Sequence, residues 1–150
     1  MEISLICVGK IKEQYIVDGI NEYTKRIKPF CDFKIIELKE FNNEKALELE
    51  ADKILEVIKK DDYVVTLEIK GKQLTSPELA SFIENHYLYS PRKIIFIIGS
   101  SDGLSSRVLD RSDYALSFSK MTFPHQLMRL IFTEQIYRAI SIINHQKYHK

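Results

Sequence analysis

Two kinds of hydrophobic pattern alternate along the chain. Short and almost continuous apolar runs, which are typical of buried β-strands, occur five times. They cover residues 3–8, 33–38, 63–69, 93–98 and 114–118. Between these runs, apolar residues recur every three or four positions, as on the buried face of a helix. The alternation predicts an α/β fold with a mostly parallel sheet of about five strands.

Four helices are predicted between the strands. The apolar faces are Ile16, Ile20, Tyr23 and Ile27 in the first helix and Leu47, Ala51, Ile54, Leu55 and Ile58 in the second. The first helix ends before Pro29, since proline does not continue a helix. Residues 70–72 predict a turn. Ser76 then predicts the cap of a third helix, with Pro77 in its favoured first position and an end near residue 87. A short fourth helix is predicted at 106–111.

The run at residues 93–98 differs from the other strands. It is a continuous series of β-branched and aromatic residues with no polar alternation. Such a run is typical of a parallel strand that is covered on both faces. We therefore expect it at the centre of the sheet.

A long final helix is predicted from about residue 126 to residue 144. Its apolar residues fill more than one stripe, so a single covered face does not hold them all. One interpretation is that the helix is wedged in the core. The other is that its second apolar face packs on another subunit, because exposed patches of that size are rare on monomers. The pattern favours the second interpretation.

Composition places the chain among ordinary globular proteins. Of its 150 residues, 45% are hydrophobic and 29% are charged, which predicts one domain over residues 1–150. No apolar run is long enough to cross a bilayer, and residues 1–10 do not resemble a secretory signal. We therefore expect a cytoplasmic protein without membrane contact.

Cysteines and histidines give no sign of a metal site. Cys7 and Cys31 are far apart and each lies beside an apolar run, which predicts buried free thiols. The four histidines do not cluster at ligand spacing, apart from His145 and His149 near the C-terminus. No metal is expected.

The net charge is only +1, but its distribution is uneven. Residues 40–62 carry eight acids against four lysines, which we interpret as a solvated face. Residues 119–150 carry five lysines and arginines, with Glu134 as the only acid. If any part of the chain contacts an anion such as RNA, we expect it to be this C-terminal part.

Ligands of open α/β folds bind at the carboxyl ends of strands. The loops after Leu67, Ile98 and Phe118 are therefore the candidate sites. Neither a dinucleotide-binding glycine fingerprint nor a P-loop is present. The turn at 99–103 contains two glycines, which alone is a weak signal. The loop at 116–129 is rich in small hydroxyls, and its strand end, Pro124 and helix start are expected to place backbone amides and carbonyls near the Gly99 turn. Such groups suit an adenine edge and a ribose without a phosphate clamp.

The segment at 116–129, with sequence LSFSKMTFPHQLMR, and the C-terminal Tyr148-His149-Lys150 resemble the ribosomal RNA large subunit methyltransferase H family of the SPOUT methyltransferases. Residues 8–10 and 66–71 extend the resemblance over the whole chain. It implies a SPOUT-type α/β knot, with a C-terminal trefoil knot, and a homodimer. It also implies methyl transfer from S-adenosylmethionine to ring nitrogen 3 of a pseudouridine in large-subunit ribosomal RNA.

The resemblance also implies roles for single residues. The cofactor-binding residues would be Leu67, Gly99, Phe118, Ser119, Lys120, Met121, Thr122 and Phe123. The substrate-binding residues would be Lys10, Tyr148, His149 and Lys150, and the catalytic candidates are Arg129, His149 and Lys150. Two positions depart from the family. Ser100 stands where a second glycine is common, and Lys150 stands where arginine is also common.

Two other functions remain open on the residues alone. A non-catalytic RNA-binding module would explain the basic C-terminus, and it predicts RNA binding without cofactor affinity. A small-molecule α/β enzyme or flavodoxin-like binder predicts affinity for flavin or another nucleotide. The motif at 118–129 discriminates against both. Outside the site, Glu134 and Arg138 lie one helical turn apart and are expected to pair.

Overall fold

The computed structural model describes all 150 residues. The strands are β1 (Glu2–Val8), β2 (Asp32–Leu38), β3 (Tyr63–Gln73), β4 (Ile94–Ile98) and β5 (Tyr114–Ser117). The helices are α1 (Gln14–Ile27), α2 (Ala46–Val57), α3 (Ser76–Tyr89), α4 (Ser106–Arg111) and α5 (His125–Ile143). The predicted order of elements is confirmed, and most bounds agree to within two residues.

The five strands form one sheet in the order β2-β1-β4-β3-β5. All four strand pairs are parallel, as the alternation of strands and helices predicts. β4 lies at the centre, and all five of its residues are buried. The prediction from its unbroken apolar run is therefore confirmed. The C-terminal knot implied by the resemblance stays a prediction.

Helices cover both faces of the sheet. Alternate residues of β1 separate the two layers, because successive side chains of a strand point to opposite faces. Ile3 and Leu5 pack in the larger core with α1, α3 and α5. Ile6 and Val8 pack in the smaller core with α2 and α4. Because all strand pairs are parallel, the carboxyl ends of the five strands share one edge of the sheet.

The predicted turn at residues 70–72 is wrong, because β3 continues through it to Gln73. The register against β5 jumps there, since Leu67 and Lys72 both pair with Leu116. Gly71 lies against the backbone of Ala115 and Leu116, where a Cβ atom would be 2.8–2.9 Å from main-chain atoms. This glycine permits a close backbone approach in a bulged strand, which local sequence does not distinguish from a turn.

The N-cap of helix α3 lies one residue earlier than predicted. Thr75, and not Ser76, is the N-cap, and its hydroxyl accepts from the Glu78 backbone N–H at 3.2 Å. The Glu78 carboxylate accepts from the Thr75 N–H in return. This reciprocal capping box fixes the start of the helix just after β3.

Helix α5 lies between α1 and α3 on the larger core. Every residue from His125 to Ile143 is buried or half-buried within the single chain. Ile136 is fully buried there. Packing inside the chain therefore covers much of both apolar stripes, as the wedged-helix interpretation expects. Leu127, Ile131 and Ile143 remain only half-buried, and the packing of α5 on a second subunit stays a prediction.

Candidate active site

A cavity of about 510 Å³ opens at the carboxyl edge of the sheet. Its walls come from the middle of β3, from the loops that follow β4 and β5, and from the first turn of α5. All three positions that the strand-end rule selects, Leu67, Ile98 and Phe118, line it, although the residues after Leu67 continue β3 and do not form a loop. The sequence therefore locates the cavity correctly, although its depth depends on how the loops meet.

Of the eight predicted cofactor-binding residues, seven line this cavity. They are Leu67, Gly99, Phe118, Ser119, Met121, Thr122 and Phe123. Lys120 is exposed and does not line it. The structure thus brings together residues that lie more than 50 positions apart in the sequence. Their role in binding a cofactor stays a prediction.

The turn after β4 is closed tightly on itself. The N–H of Gly103 donates to the carbonyl of Ser100 at 2.9 Å, and Gly103 has a φ of +83°. A Cβ atom on Gly99 would overlap the carbonyl of Gly103. Glycine is therefore required at position 99 by the turn itself, as well as by any ligand that approaches it.

Hydroxyl groups shape the loop between β5 and α5. Ser117 Oγ donates to the carbonyl of Ser119 at 3.0 Å. Ser119 Oγ accepts from the N–H of Met121 at the same distance. Phe118 stands near Phe132 of α5, with ring centroids 6.1 Å apart. These contacts hold the loop in place while leaving backbone groups beside the cavity.

Sequence reasoning missed Glu68, which lines the cavity directly after Leu67. Its carboxylate accepts from Thr66 Oγ1 at 2.6 Å, and Thr66 is fully buried. Thr66 Oγ1 also lies 2.8 Å from Ser112 Oγ. The sequence signal for Glu68 is its position directly after Leu67, one of the three positions that the strand-end rule selects.

Glu50 on α2 corrects the interpretation of the acidic stretch as a solvated face. It is only 3% exposed, and its carboxylate accepts from Ser100 Oγ at 3.0 Å and from the Phe41 N–H at 3.2 Å. Ser100 lines the cavity. The serine that departs from the family's paired glycines therefore ties the glycine turn to α2.

Arg129, a catalytic candidate, does not line the cavity. It is 2% exposed, and its guanidinium donates to Glu37 at 2.8 Å and to the carbonyl of Gly9 at 3.0 Å. These bonds brace the end of β1 against α5. Lys10, a predicted substrate-binding residue, is exposed beside Arg129 in a neighbouring groove.

The C-terminal residues pack on the second half of α5. Tyr148 Oη donates to Glu134 at 2.9 Å, and its ring meets Tyr137 edge-on with centroids 4.6 Å apart. The Arg138 guanidinium lies 4.6 Å from the centre of the same ring and 3.2 Å from His149 Nδ1. The tail is therefore attached to the helix and is not frayed. Lys150 is exposed.

Two further predictions concern side-chain pairing and ionisation. The Glu134–Arg138 pair is confirmed, with a closest N–O distance of 2.6 Å. Cys7 and Cys31 are buried free thiols, also as predicted. Burial raises the pKa of each thiol to about 11, so both stay protonated near neutral pH.

No group of three or more His, Cys, Asp or Glu side chains is arranged to hold a metal ion. None of the five helices combines the length and the hydropathy that a bilayer span requires.

Comparison with known proteins identifies the family to which the chain is similar. A family model described as "Predicted SPOUT methyltransferase" matches residues 1–149. The chain is 53% identical to a "Ribosomal RNA large subunit methyltransferase H" of Finegoldia magna and 48% identical to one of Carboxydothermus hydrogenoformans. Each comparison covers both proteins completely.

Solved structures support the fold. A probable methyltransferase from Bordetella pertussis superimposes with a TM-score of 0.61 at 10% identity, covering 92% of this chain and 93% of that one. A probable methylase family protein from Haemophilus influenzae gives a TM-score of 0.55 at 15% identity, covering 99% of this chain and 70% of that one. At such identities the likeness concerns the fold alone.

Proposed function

The chain belongs to the SPOUT methyltransferase family, and from this premise we propose that it transfers a methyl group from S-adenosylmethionine to ring nitrogen 3 of a pseudouridine in large-subunit ribosomal RNA. The observation that carries the proposal is that the middle of β3 and the loops after β4 and β5 meet at one cavity. Full-length relatives named as ribosomal RNA methyltransferases supply the substrate class. We accordingly expect the protein in the cytoplasm, where ribosomes are methylated.

The cavity fits such a cofactor in size and chemistry. Leu67, Leu116 and Phe118 offer apolar contacts for an adenine ring. The small residues Gly99 and Ser119 leave backbone groups close to the space where a ribose and the rest of the cofactor would lie. When bound, S-adenosylmethionine supplies a methyl group on a positively charged sulfur.

Methyl transfer to nitrogen is an in-line displacement, so most of the acceleration comes from holding the base in the right place. The ring nitrogen of the imide must also lose its proton. His149 and Lys150 are the proposed contacts to the base and its developing negative charge. Arg129 is better placed to support them indirectly, since both of its terminal nitrogens, Nη1 and Nη2, are committed to Glu37 and the end of β1.

The position of the tail supports a homodimer. Tyr148 is attached at Glu134, nine residues along α5 from His125 at the cavity. At 1.5 Å per residue, this separates the two points by about 13 Å along the helix. We propose that the tail of one protomer acts at the cavity of the other, where the exposed Ile69 and Met121 offer apolar contacts.

Three measurements test this function. Calorimetry with S-adenosylmethionine, in buffer without metal, should show binding. A tritiated-methyl assay on ribosomes from cells that lack this enzyme should show transfer, and nuclease digestion with mass spectrometry should locate the methyl group on a pseudouridine. RNA binding without cofactor affinity would instead identify an RNA-binding module, and flavin binding would identify a flavodoxin-like protein.

The homodimer has its own test. One variant lacks residues 148–150, and the other carries Leu67→Ala together with Gly99→Ala in the cavity. Each should be nearly inactive alone. Because tail and cavity come from different protomers in the proposed dimer, mixing the variants after subunit exchange should restore part of the activity. No recovery in a mixture shown to contain heterodimers would place both parts in one protomer.

A further inference from the structure

The charges around the cavity are unbalanced. Among its 18 lining residues, Glu68 is the only acid, and there is no lysine or arginine. Lys120 is in the lining loop by sequence, but it is exposed and does not line the cavity. Apart from the imidazole of His125, the cavity wall therefore holds no basic group beside the Glu68 carboxylate.

The Glu68 carboxylate is held in a fixed position. The buried Thr66 donates to it at 2.6 Å, and Glu68 forms no ion pair that would neutralise it. A second carboxylate, Glu50, accepts a hydrogen bond from Ser100, which lines the cavity. Glu50 is almost completely buried and likewise has no ion pair. One carboxylate without an ion-pair partner thus lies in the cavity wall, and a second is bonded to a residue of that wall.

The methyl donor and its product differ in charge at one atom. S-adenosylmethionine carries a positive sulfonium, whereas S-adenosylhomocysteine has a neutral thioether after the methyl group leaves. Charge interactions are stronger beside a partly desolvated wall than in water. A fixed carboxylate near the cavity therefore stabilises the donor more than the product.

We propose that Glu68, assisted by Glu50, is a specificity-determining residue that makes the cavity prefer the positively charged donor over the neutral product. This inference rests on the proposed function. Its consequence is that methyl transfer itself weakens the hold on the bound molecule, which favours exchange of product for fresh donor. A carboxylate that only accepts the Thr66 hydroxyl would affect donor and product equally.

The experiment measures three dissociation constants by calorimetry for each variant. The ligands are S-adenosylmethionine, S-adenosylhomocysteine and an analogue with a protonated amine in place of the methylated sulfur. Glu68→Gln should weaken the two positive ligands about tenfold, equal to about 1.4 kcal/mol, and the neutral one less than about twofold. Glu50→Gln should act in the same direction by about threefold.

Two control variants complete the design. Glu56→Gln removes the same charge from an exposed position of α2 and should change none of the three constants. Glu68→Asp keeps the charge and should keep the preference. If Glu68→Gln weakens all three ligands equally, or if the unmodified protein binds product as tightly as donor, the inference is wrong. If the unmodified protein binds none of the three ligands, the proposed function itself fails.

Discussion

The two ends of helix α5 are built in opposite ways. At the first turn, His125 and Met128 border the cavity, and His125 Nε2 is buried without a hydrogen-bond partner. In the second half of the helix, Glu134 bonds both Arg138 and Tyr148, and these residues form one connected cluster. The first turn of α5 leaves an unpaired ring nitrogen beside the cavity, whereas the polar side chains of the second half form hydrogen bonds within the chain.

The difference between the two ends indicates that the first turn of α5 serves a ligand in the cavity and the second half serves the tail. Ligand-binding surfaces keep polar and apolar groups free for the partner, so the cavity end is prepared for a small molecule. Glu134, Arg138 and Tyr148 instead bond to one another and thereby fix the tail on the helix. We infer that the tail is a pre-positioned element, which presents His149 and Lys150 at a defined place, and that the cavity is a preformed site.

The largest effect should come from deleting residues 148–150. We expect RNA methylation to fall by about 100-fold or more, because a small misplacement of the reacting base is costly. Affinity for S-adenosylmethionine should stay within about twofold, since no tail residue lines the cavity. Losing the aromatic contact with Tyr137 should lower the free energy of unfolding by about 1 kcal/mol.

The contrast between the two ends of α5 requires that the deletion lower methylation without lowering cofactor affinity. Calorimetry, thermal unfolding and the tritiated-methyl assay measure the three properties on the same truncated protein. Full methylation would show that the attached tail is only structural. Lost cofactor binding would show that the two ends are not independent.

The next largest effect is expected at the cavity end, for Gly99→Ala. The added Cβ would overlap the carbonyl of Gly103, so the turn must open. Affinity for S-adenosylmethionine should fall by about 30-fold or more, since a backbone shift costs about 2 kcal/mol at such a site. The damage comes from distortion of the turn, and not only from the bulk of a side chain in the ligand space.

Asp102→Ala is the matched control in the same turn. Asp102 is exposed, does not line the cavity and forms no hydrogen bond, so its variant should bind the cofactor normally. Calorimetry on both variants decides the point. Equal affinity in the two would show that the Gly99 turn is not part of the cofactor site.

Much of the fold follows from local sequence, because hydrophobic period is a local property. The unbroken run of β4 predicts the centre of the sheet, and the strand-end rule locates the cavity. Contacts between residues that are far apart in the sequence leave no trace in the hydrophobic pattern. Arg129 and Glu37 are 92 positions apart, and Glu50 and Ser100 are 50 apart. The sequence therefore predicts Arg129 only as a cation near the site. The packing shows that its guanidinium links α5 to Glu37 and to the end of β1.

A smaller effect is expected for Leu67→Ala, which removes apolar contact from the cavity wall. Leu67 is half-buried in the middle of β3 and packs against the larger core. We expect cofactor binding to weaken by about 1–2 kcal/mol and the fold to persist. Ile69→Ala is the control, because Ile69 is 52% exposed at the same rim. A loss for Ile69→Ala as large as that for Leu67→Ala would place the cofactor further out.

The smallest effect concerns the ionisation of Tyr148 at the tail end. Burial and the hydrogen bond and negative charge of Glu134 raise the pKa of Tyr148 above its ordinary value of 10. The folded state therefore favours the protonated phenol, which donates to Glu134. This contribution to stability is fully present below about pH 10 and is lost only as the pH rises through the raised pKa. We expect the tail to stay attached at every pH at which the enzyme is assayed.

Tyr148→Phe removes the donor while keeping the ring on Tyr137 and under Arg138. The cost in unfolding free energy should be only about 0.5 kcal/mol, because Glu134 keeps its bonds to Arg138. Ultraviolet titration of tyrosinate should show that the variant loses a tyrosine that ionises later than the exposed Tyr15 and Tyr89. If the missing tyrosine instead ionised at its ordinary pH, Tyr148 would be solvated and mobile. The tail end would then be as open as the cavity end, and the contrast between them would disappear.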